Sequence, residues 1–398
     1  MSLKTRILLN AFTVSLAAVL LQRGIYFFTN DVLGFSQAHN LWFALLFGVA
    51  YVIGASASHP IAARFGERRA LRGVIFLLVL VHVWLACFPT TLALTIAFAL
   101  LPILQGAMWP IFESYMSAGE TPASLGRALS RYNIAWASSV PLGLALAGPL
   151  IASGSPRALF ILAAVLNLFV WASCGAFPEK PAHLSADHAA RPNPVTLARY
   201  RGLLVAARFA MLESYMLLFL LAPLMPQIMK SVGFGTAAAA RASSLLDVAR
   251  LSCFVGLFAY SGWHGKKPPL WLAILALPFG FALVLLGQSV PAVVSGELLF
   301  GAAAGFLYTA ALYYAQVVQN ASVDAGGAHE ALIGVGYALG PGAGLVGTAL
   351  AHGAGPGSSA YARGMSAATL PLIIACTVAA VWPLFQVRRD PLEHRSRS

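Results

Sequence analysis

Ionisable side chains inside long apolar runs are the residues of this chain best suited to chemistry, because a charge in such surroundings persists where it is paired or used. Glu213 stands in the run 202–226, and Asp247 and Arg250 stand in the run 239–262, three residues apart on one helical face. These residue types predict a buried cluster with two possible roles. It is a carboxyl that takes up and releases a proton, with Glu213 as the preferred carrier, or a fixed ion pair that joins two helices. Arg23 and Glu297 lie in the runs 7–28 and 291–314. Arg23 is expected to attract an anionic group, to pair with Asp31 or Glu297, or to snorkel toward water. Gln22, Tyr26, Gln105, Trp109, Tyr215 and Tyr308 add aromatic faces and a few hydrogen-bonding groups to otherwise apolar runs. Such a set suits an organic molecule of modest polarity.

Enzymatic signatures do not accompany these residues. His82 and His352 show no metal-ligand spacing, and the glycine-rich stretch 334–344 lacks the Gly-Lys-Ser/Thr of a phosphate loop. No enzyme activity, cofactor, metal site or ATP-driven step is expected. Cys87, Cys174, Cys253 and Cys376 form no Cys-x-x-Cys pair and read as small packing residues.

The elements that must hold these side chains follow from composition. The chain is 59% hydrophobic and 10% charged, with mean hydropathy +0.78; soluble domains carry about 25% charged residues. Apolar stretches of about 20 residues, long enough to cross a hydrocarbon core, recur at 7–28, 39–58, 70–88, 92–115, 128–152, 157–177, 202–226, 239–262, 269–288, 291–314, 330–352 and 366–387. Backbone groups in lipid must be satisfied internally, and no period-2 alternation supports a barrel, so each run is predicted to be a helix. The first run is too long for a signal-peptide core and is expected to remain as the first span.

The net charge of +12 is a matter of topology. With a cytoplasmic N-terminus, Lys4, Arg64, Arg68, Arg69, Arg72, Arg127, Arg131, Lys266, Lys267, Arg388 and Arg389 fall inside. Arg23, Arg157, Lys230, Arg241 and Arg363 lie toward the outside. That asymmetry follows the positive-inside rule, puts both termini in the cytoplasm and removes the case for nucleic acid. Residues 178–200 form a polar, proline-rich stretch. The expected domains are a six-helix bundle at 1–177, a cytoplasmic linker at 178–200, a second six-helix bundle at 201–387 and a cytoplasmic tail at 388–398.

The two halves share marks at an offset of 199 residues. Gly66, Arg68 and Leu71 recur as Gly265, Lys267 and Leu270; Gly106 and Tyr115 recur as Gly305 and Tyr314. Pro141 and Pro341 follow at 200. This is the signature of a duplicated membrane unit. With twelve spans, a central linker and a basic turn between spans two and three, the chain resembles the major facilitator superfamily. The turn carries Arg64, Gly66, Arg68 and Leu71 at the family's places but has Ala63 where the family has aspartate, and Pro102 stands where many members have a span-four arginine.

The resemblance implies an all-α fold of two pseudo-symmetric six-helix bundles that rock about a midplane site. Spans one, four, seven and ten would line the cavity, placing Gln22, Arg23, Tyr26, Gln105, Trp109, Tyr215, Glu297 and Tyr308 around it. It also implies a gating turn at Arg64, Gly66, Arg68 and Arg69. Glu330 is expected to open span eleven as a capping acid and to pair with that cluster in place of the missing aspartate. Glu113 is expected at the inner interface beside Arg131.

The implied function is secondary active transport of a small organic molecule, coupled to protons or another ion. Export is slightly favoured by Gly148-Pro149 in span five. Uptake of a sugar or organic acid, and a membrane sensor or scaffold without transport activity, are the alternatives. The expected setting is a monomer in the bilayer of a bacterial inner membrane.

Overall fold

The computed structural model describes residues 1–22, 24–31, 33–152, 156–182 and 192–387. Every regular element among them is a helix. The first half contains α1 (Leu3–Gln22), α2 (Ile25–Asp31), α3 (Gln37–Phe65), α4 (Glu67–Cys87), α5 (Thr91–Ser117), α6 (Pro122–Ala152) and α7 (Pro156–Cys174). The second contains α8 (Pro194–Ser231), α9 (Thr236–Ala242), α10 (Leu245–Ala259), α11 (Pro268–Leu286), α12 (Val290–Val318), α13 (Val323–Leu350) and α14 (Ser359–Gln386). Eleven helical segments among the described residues are long and apolar enough to cross a membrane. The 31-residue α6 stands between α5 and α7, where the sequence places the fifth crossing. Trp42, Leu272, Phe279 and Trp382 are exposed around the outside, as a lipid-facing surface requires.

Two expected spans are broken. The first divides into α1 and α2 around Gly24, which packs against the Leu20 carbonyl and Ala147 of α6. The eighth divides into α9 and α10 at Ser243 and Ser244. Their hydroxyls donate to the carbonyls of Ala239 (2.8 Å) and Arg241 (2.6 Å), sharing those acceptors with the Ser243 and Ser244 backbone amides. Helix α8 starts earlier than expected, inside the stretch read as linker. Asn193 caps it by accepting from the Thr196 amide at 2.8 Å, and Pro194 occupies its first turn.

The halves meet along three main helix pairs, α3 with α13, α6 with α10 and α5 with α13. The first pair is an antiparallel seam built on small residues. Gly344 lies against Leu41, Gly48 against Tyr337 and Ala338, Gly334 against Val52, and Gly327 against Ala55. Apolar burial gives helices little reason to associate in lipid, so close backbone packing must do it. The other face of α13 uses Gly336 and Gly340 against Leu212, Met216 and Leu220 of α8. The glycine-rich stretch is thus a packing surface facing two ways.

The duplicated basic turns differ in length, one residue between α3 and α4 against eight between α10 and α11, but share a positive-φ glycine. Gly66 and Gly265 have φ of +81° and +71°, the left-handed region that favours glycine. In the first half Arg68 donates to the Phe177 carbonyl at 3.1 Å, just beyond α7. In the second, Lys267 donates to the Val387 carbonyl, just beyond α14. Each turn therefore ties the start of its half's third span to the end of its sixth.

Candidate functional site

A chamber lies between the halves, bounded by a narrow stripe from each of eight helices. Ser15, Ala18 and Gln22 come from α1, Tyr132, Trp136 and Val140 from α6, and Tyr215, Leu218 and Phe219 from α8. Glu330, Ile333 and Tyr337 come from α13. These offsets of three and four residues put one face of each helix toward the space. Tyr51 of α3, Trp109 of α5, Arg250 of α10 and Tyr308 of α12 complete the wall. The cavity volume is only about 80 Å³. The space is a set of narrow clefts between rings.

The rings support one another. Tyr337 stacks on Phe219 with centroids 3.5 Å apart and meets Tyr51 and Tyr215 edge-on at 5.0 and 5.6 Å. Trp136 meets Tyr308 edge-on at 5.4 Å. Against this wall stands Arg250, 5.0 Å above the Trp136 ring and 3.0 Å from Asp247. The Trp136 indole donates to Asn133 (3.2 Å), which donates to Thr309 of α12 (3.3 Å), fixing the ring across the two halves.

On the α13 side, the Tyr51 hydroxyl donates to Glu330, a bond that joins the halves. Glu113 of α5 meets Glu330 within hydrogen-bonding range, and Gly326 leaves room for its carboxylate. His329 lies beside them, its ring 5.1 Å from Tyr308. Glu113, His329 and Glu330 each offer a ligand atom within 4.8 Å of the others, and all three are buried.

Several expected placements change. Glu213 does not join Asp247 and Arg250: both its carboxylate oxygens accept from Thr377 of α14, at 3.2 and 3.1 Å. Tyr215 faces the chamber, and residues two apart on a helix point about 200° apart, so Glu213 is turned away. Gln22, Trp109, Tyr215 and Tyr308 line the chamber. Gln105 stands behind it, accepting from Gln22 at 2.6 Å. Tyr26 and Glu297 are buried outside the chamber wall. Arg23 lies outside the described residues.

The gating turn also differs. Glu330 neither opens α13 nor meets Arg64, Arg68 or Arg69. Ser322 caps that helix by accepting from the Ala325 amide at 3.1 Å, and Asp324 is its first-turn acid, leaving Glu330 two turns inside. Arg68 instead binds Glu179 at 3.0 Å, while Arg64 and Arg69 are exposed. Glu113 is buried at the seam rather than placed beside Arg131, which lies over Phe258 instead. The sequence reading missed Tyr51, Tyr132, Trp136, Tyr337 and His329. The four-residue spacing of Tyr132 and Trp136 is the signal that could have found that pair.

Outside the spans, His264 sits in the second basic turn, stacked on Tyr313 at 4.1 Å and packed against Gly126 of α6. Burial lowers its pKa to about 4.

Comparison with known proteins agrees with this geometry. No curated protein sequence matches the chain. The crystal structure of the human organic anion transporter MFSD10 (TETRAN) is similar with TM-score 0.63 and 16% identity, covering 98% of this chain and 100% of that one. The crystal structure of a point mutant of the nucleoside transporter NupG is similar with TM-score 0.67 and 14% identity, covering 97% of this chain and 100% of that one. At these identities the likeness is one of fold. The sequence profile of the Major Facilitator Superfamily matches residues 7–344, and with twelve expected crossings in two bundles around a central chamber, the chain belongs to that superfamily and is a multi-pass membrane transporter.

Proposed function

We propose that the protein is a secondary transporter of a small organic anion with an aromatic or apolar body, coupled to protons through Glu113 and Glu330. The carrying observation is the chamber itself, with Arg250 over Trp136 on its wall and Glu330, set against Glu113 of the other half, also bordering it. Arg250 supplies a planar cation against a ring face, suited to a carboxylate beside an aromatic group. Asp247 holds that cation until the anion competes for it. Two carboxyl groups in contact away from water are compatible through a proton shared between them. Because Glu113 and Glu330 belong to opposite halves, gain or loss of that proton changes the attraction that closes the seam.

Movement follows alternating access, the halves rocking about the chamber as the α3–α13 and α6–α10 contacts open in turn. Export remains the favoured direction, in a bacterial inner membrane with both termini cytoplasmic and the protein acting as a monomer. A sensor or scaffold would not need a charged and hydrogen-bonding chamber.

The test is solute flux in proteoliposomes across a panel of organic anions, neutral nucleosides and sugars, with and without an imposed pH gradient. Anion flux driven by the gradient is expected. Glu330→Gln and Glu113→Gln should abolish gradient-driven accumulation while leaving exchange of labelled for unlabelled solute. Glu213→Gln should retain both activities. Gradient-driven accumulation lost only in Glu213→Gln would overturn the assignment of the coupling site, and flux confined to neutral solutes would overturn the anion reading.

A further inference from the structure

The Glu113–Glu330 contact has a third member that proton coupling does not use. His329 is fully buried, and neither ring nitrogen has a hydrogen-bond partner among the described residues. An imidazole enclosed in that way loses the hydrogen bonds it makes in water unless something at the site binds it. Its ligand nitrogen falls within 4.8 Å of a carboxylate oxygen from Glu113 and another from Glu330. No sequence motif reveals this grouping, because Glu113 and His329 are brought together only by the α5–α13 contact.

We propose that Glu113, His329 and Glu330 form a binding site for a divalent first-row transition cation, held between the two halves at the chamber wall. Two carboxylates and one imidazole make an oxygen-and-nitrogen donor set suited to zinc, manganese, iron(II) or cobalt(II). Calcium and magnesium favour all-oxygen cages. A charge of +2 also balances two carboxylates in a seam that water does not reach. Donor atoms bound at about 2.0–2.2 Å to one ion stand up to about 4.4 Å apart, so small side-chain rotations complete the set. The Tyr51 hydroxyl on Glu330 supplies the outer hydrogen bond that orients a ligating carboxylate. Glu330 borders the chamber, which gives the ion a route in and leaves its remaining coordination positions facing the cavity. Since one ligand comes from α5 and two from α13, a bound cation fastens the halves together. It displaces the shared proton and holds the transporter closed.

The test uses tag-free, full-length protein in detergent titrated with cobalt(II), whose visible absorption reports its coordination. One saturable site per chain is expected, with a rise in thermal unfolding temperature that a chelator reverses. His329→Gln and Glu113→Gln should each weaken binding by about tenfold or more, while His352→Gln, at an exposed histidine, leaves it unchanged. Absence of a saturable site in the native protein, or binding that survives both substitutions, overturns the proposal. Should either variant fail to fold, the native protein decides alone: saturable cobalt(II) absorption with a chelator-reversible rise in unfolding temperature supports the site, and the lack of either overturns it. Binding is read without transport, so its failure leaves the proton-coupled reading standing, and loss of that reading leaves the metal result intact.

Discussion

Arg250 and Asp247 show what a charge in the chamber requires. Both are buried and they pair at 3.0 Å, with Trp136 beneath the guanidinium. Removing one partner of a buried pair strands the other, a loss of about 3–5 kcal/mol. Arg250→Ala is therefore expected to lower stability and to abolish anion flux. Adding Asp247→Ala removes the carboxylate whose charge Arg250 balances, so the double variant should regain most of the stability and none of the flux. Thermal unfolding with parallel flux assays checks this, and a double variant no more stable than Arg250→Ala would refute the pairing argument. This pair was legible in the sequence because three-residue spacing fixes a shared face. The orientation of Glu213 was not, because the rotation of a helix depends on what packs against it. Thr377 lies 164 residues away in sequence and leaves no local trace. Glu113 was misplaced for the same reason, since Gly326 of a distant helix makes its pocket.

Helices were more legible than residues, and their seams less so. Twelve runs of hydropathy located the crossings, since lipid leaves the backbone few options. The breaks in the first and eighth runs escaped notice because Gly24, Ser243 and Ser244 carry no strong stop signal. The glycines of α13 read as packing residues, yet only the fold shows that alternate ones face α3 and α8. Gly48 is the reciprocal position on α3. A β-carbon there would run into the backbone of Tyr337 and Ala338, which cannot rotate aside as a side chain can. Gly48→Ala should therefore force the seam apart, at a penalty of about 1–3 kcal/mol typical of overpacking. The expected result is slower transport and faster labelling of a cysteine introduced at Ile333, inside the chamber. Unchanged labelling would mean that the seam yields without opening.

At the scale of the whole molecule, the duplication has been kept as architecture and altered as chemistry. Gly66 and Gly265 both turn at positive φ, and Arg68 and Lys267 tie equivalent helix ends, yet the second turn alone carries a half-buried histidine. His264 lies where that turn meets α6 of the opposite half, so its charge state bears on the contact between bundles. Burial lowers its pKa to about 4 in the folded protein, against about 6.5 when unfolded. Between those values the unfolded chain holds the extra proton, so stability rises with pH across the window. The contribution is fully present above about pH 6.5 and is lost as pH falls through that value toward 4. Thermal unfolding in detergent should therefore show a falling midpoint from pH 6.5 to 5, above the range where ordinary exposed carboxylates titrate. His264→Gln removes the titrating group while keeping a polar side chain of similar reach, so its midpoint should fall less steeply over the same interval. The difference between the two curves isolates His264 from every other group. Parallel curves would show that the histidine is as free to take a proton in the folded protein as in the unfolded chain, and the contact between the bundles would then be indifferent to its charge.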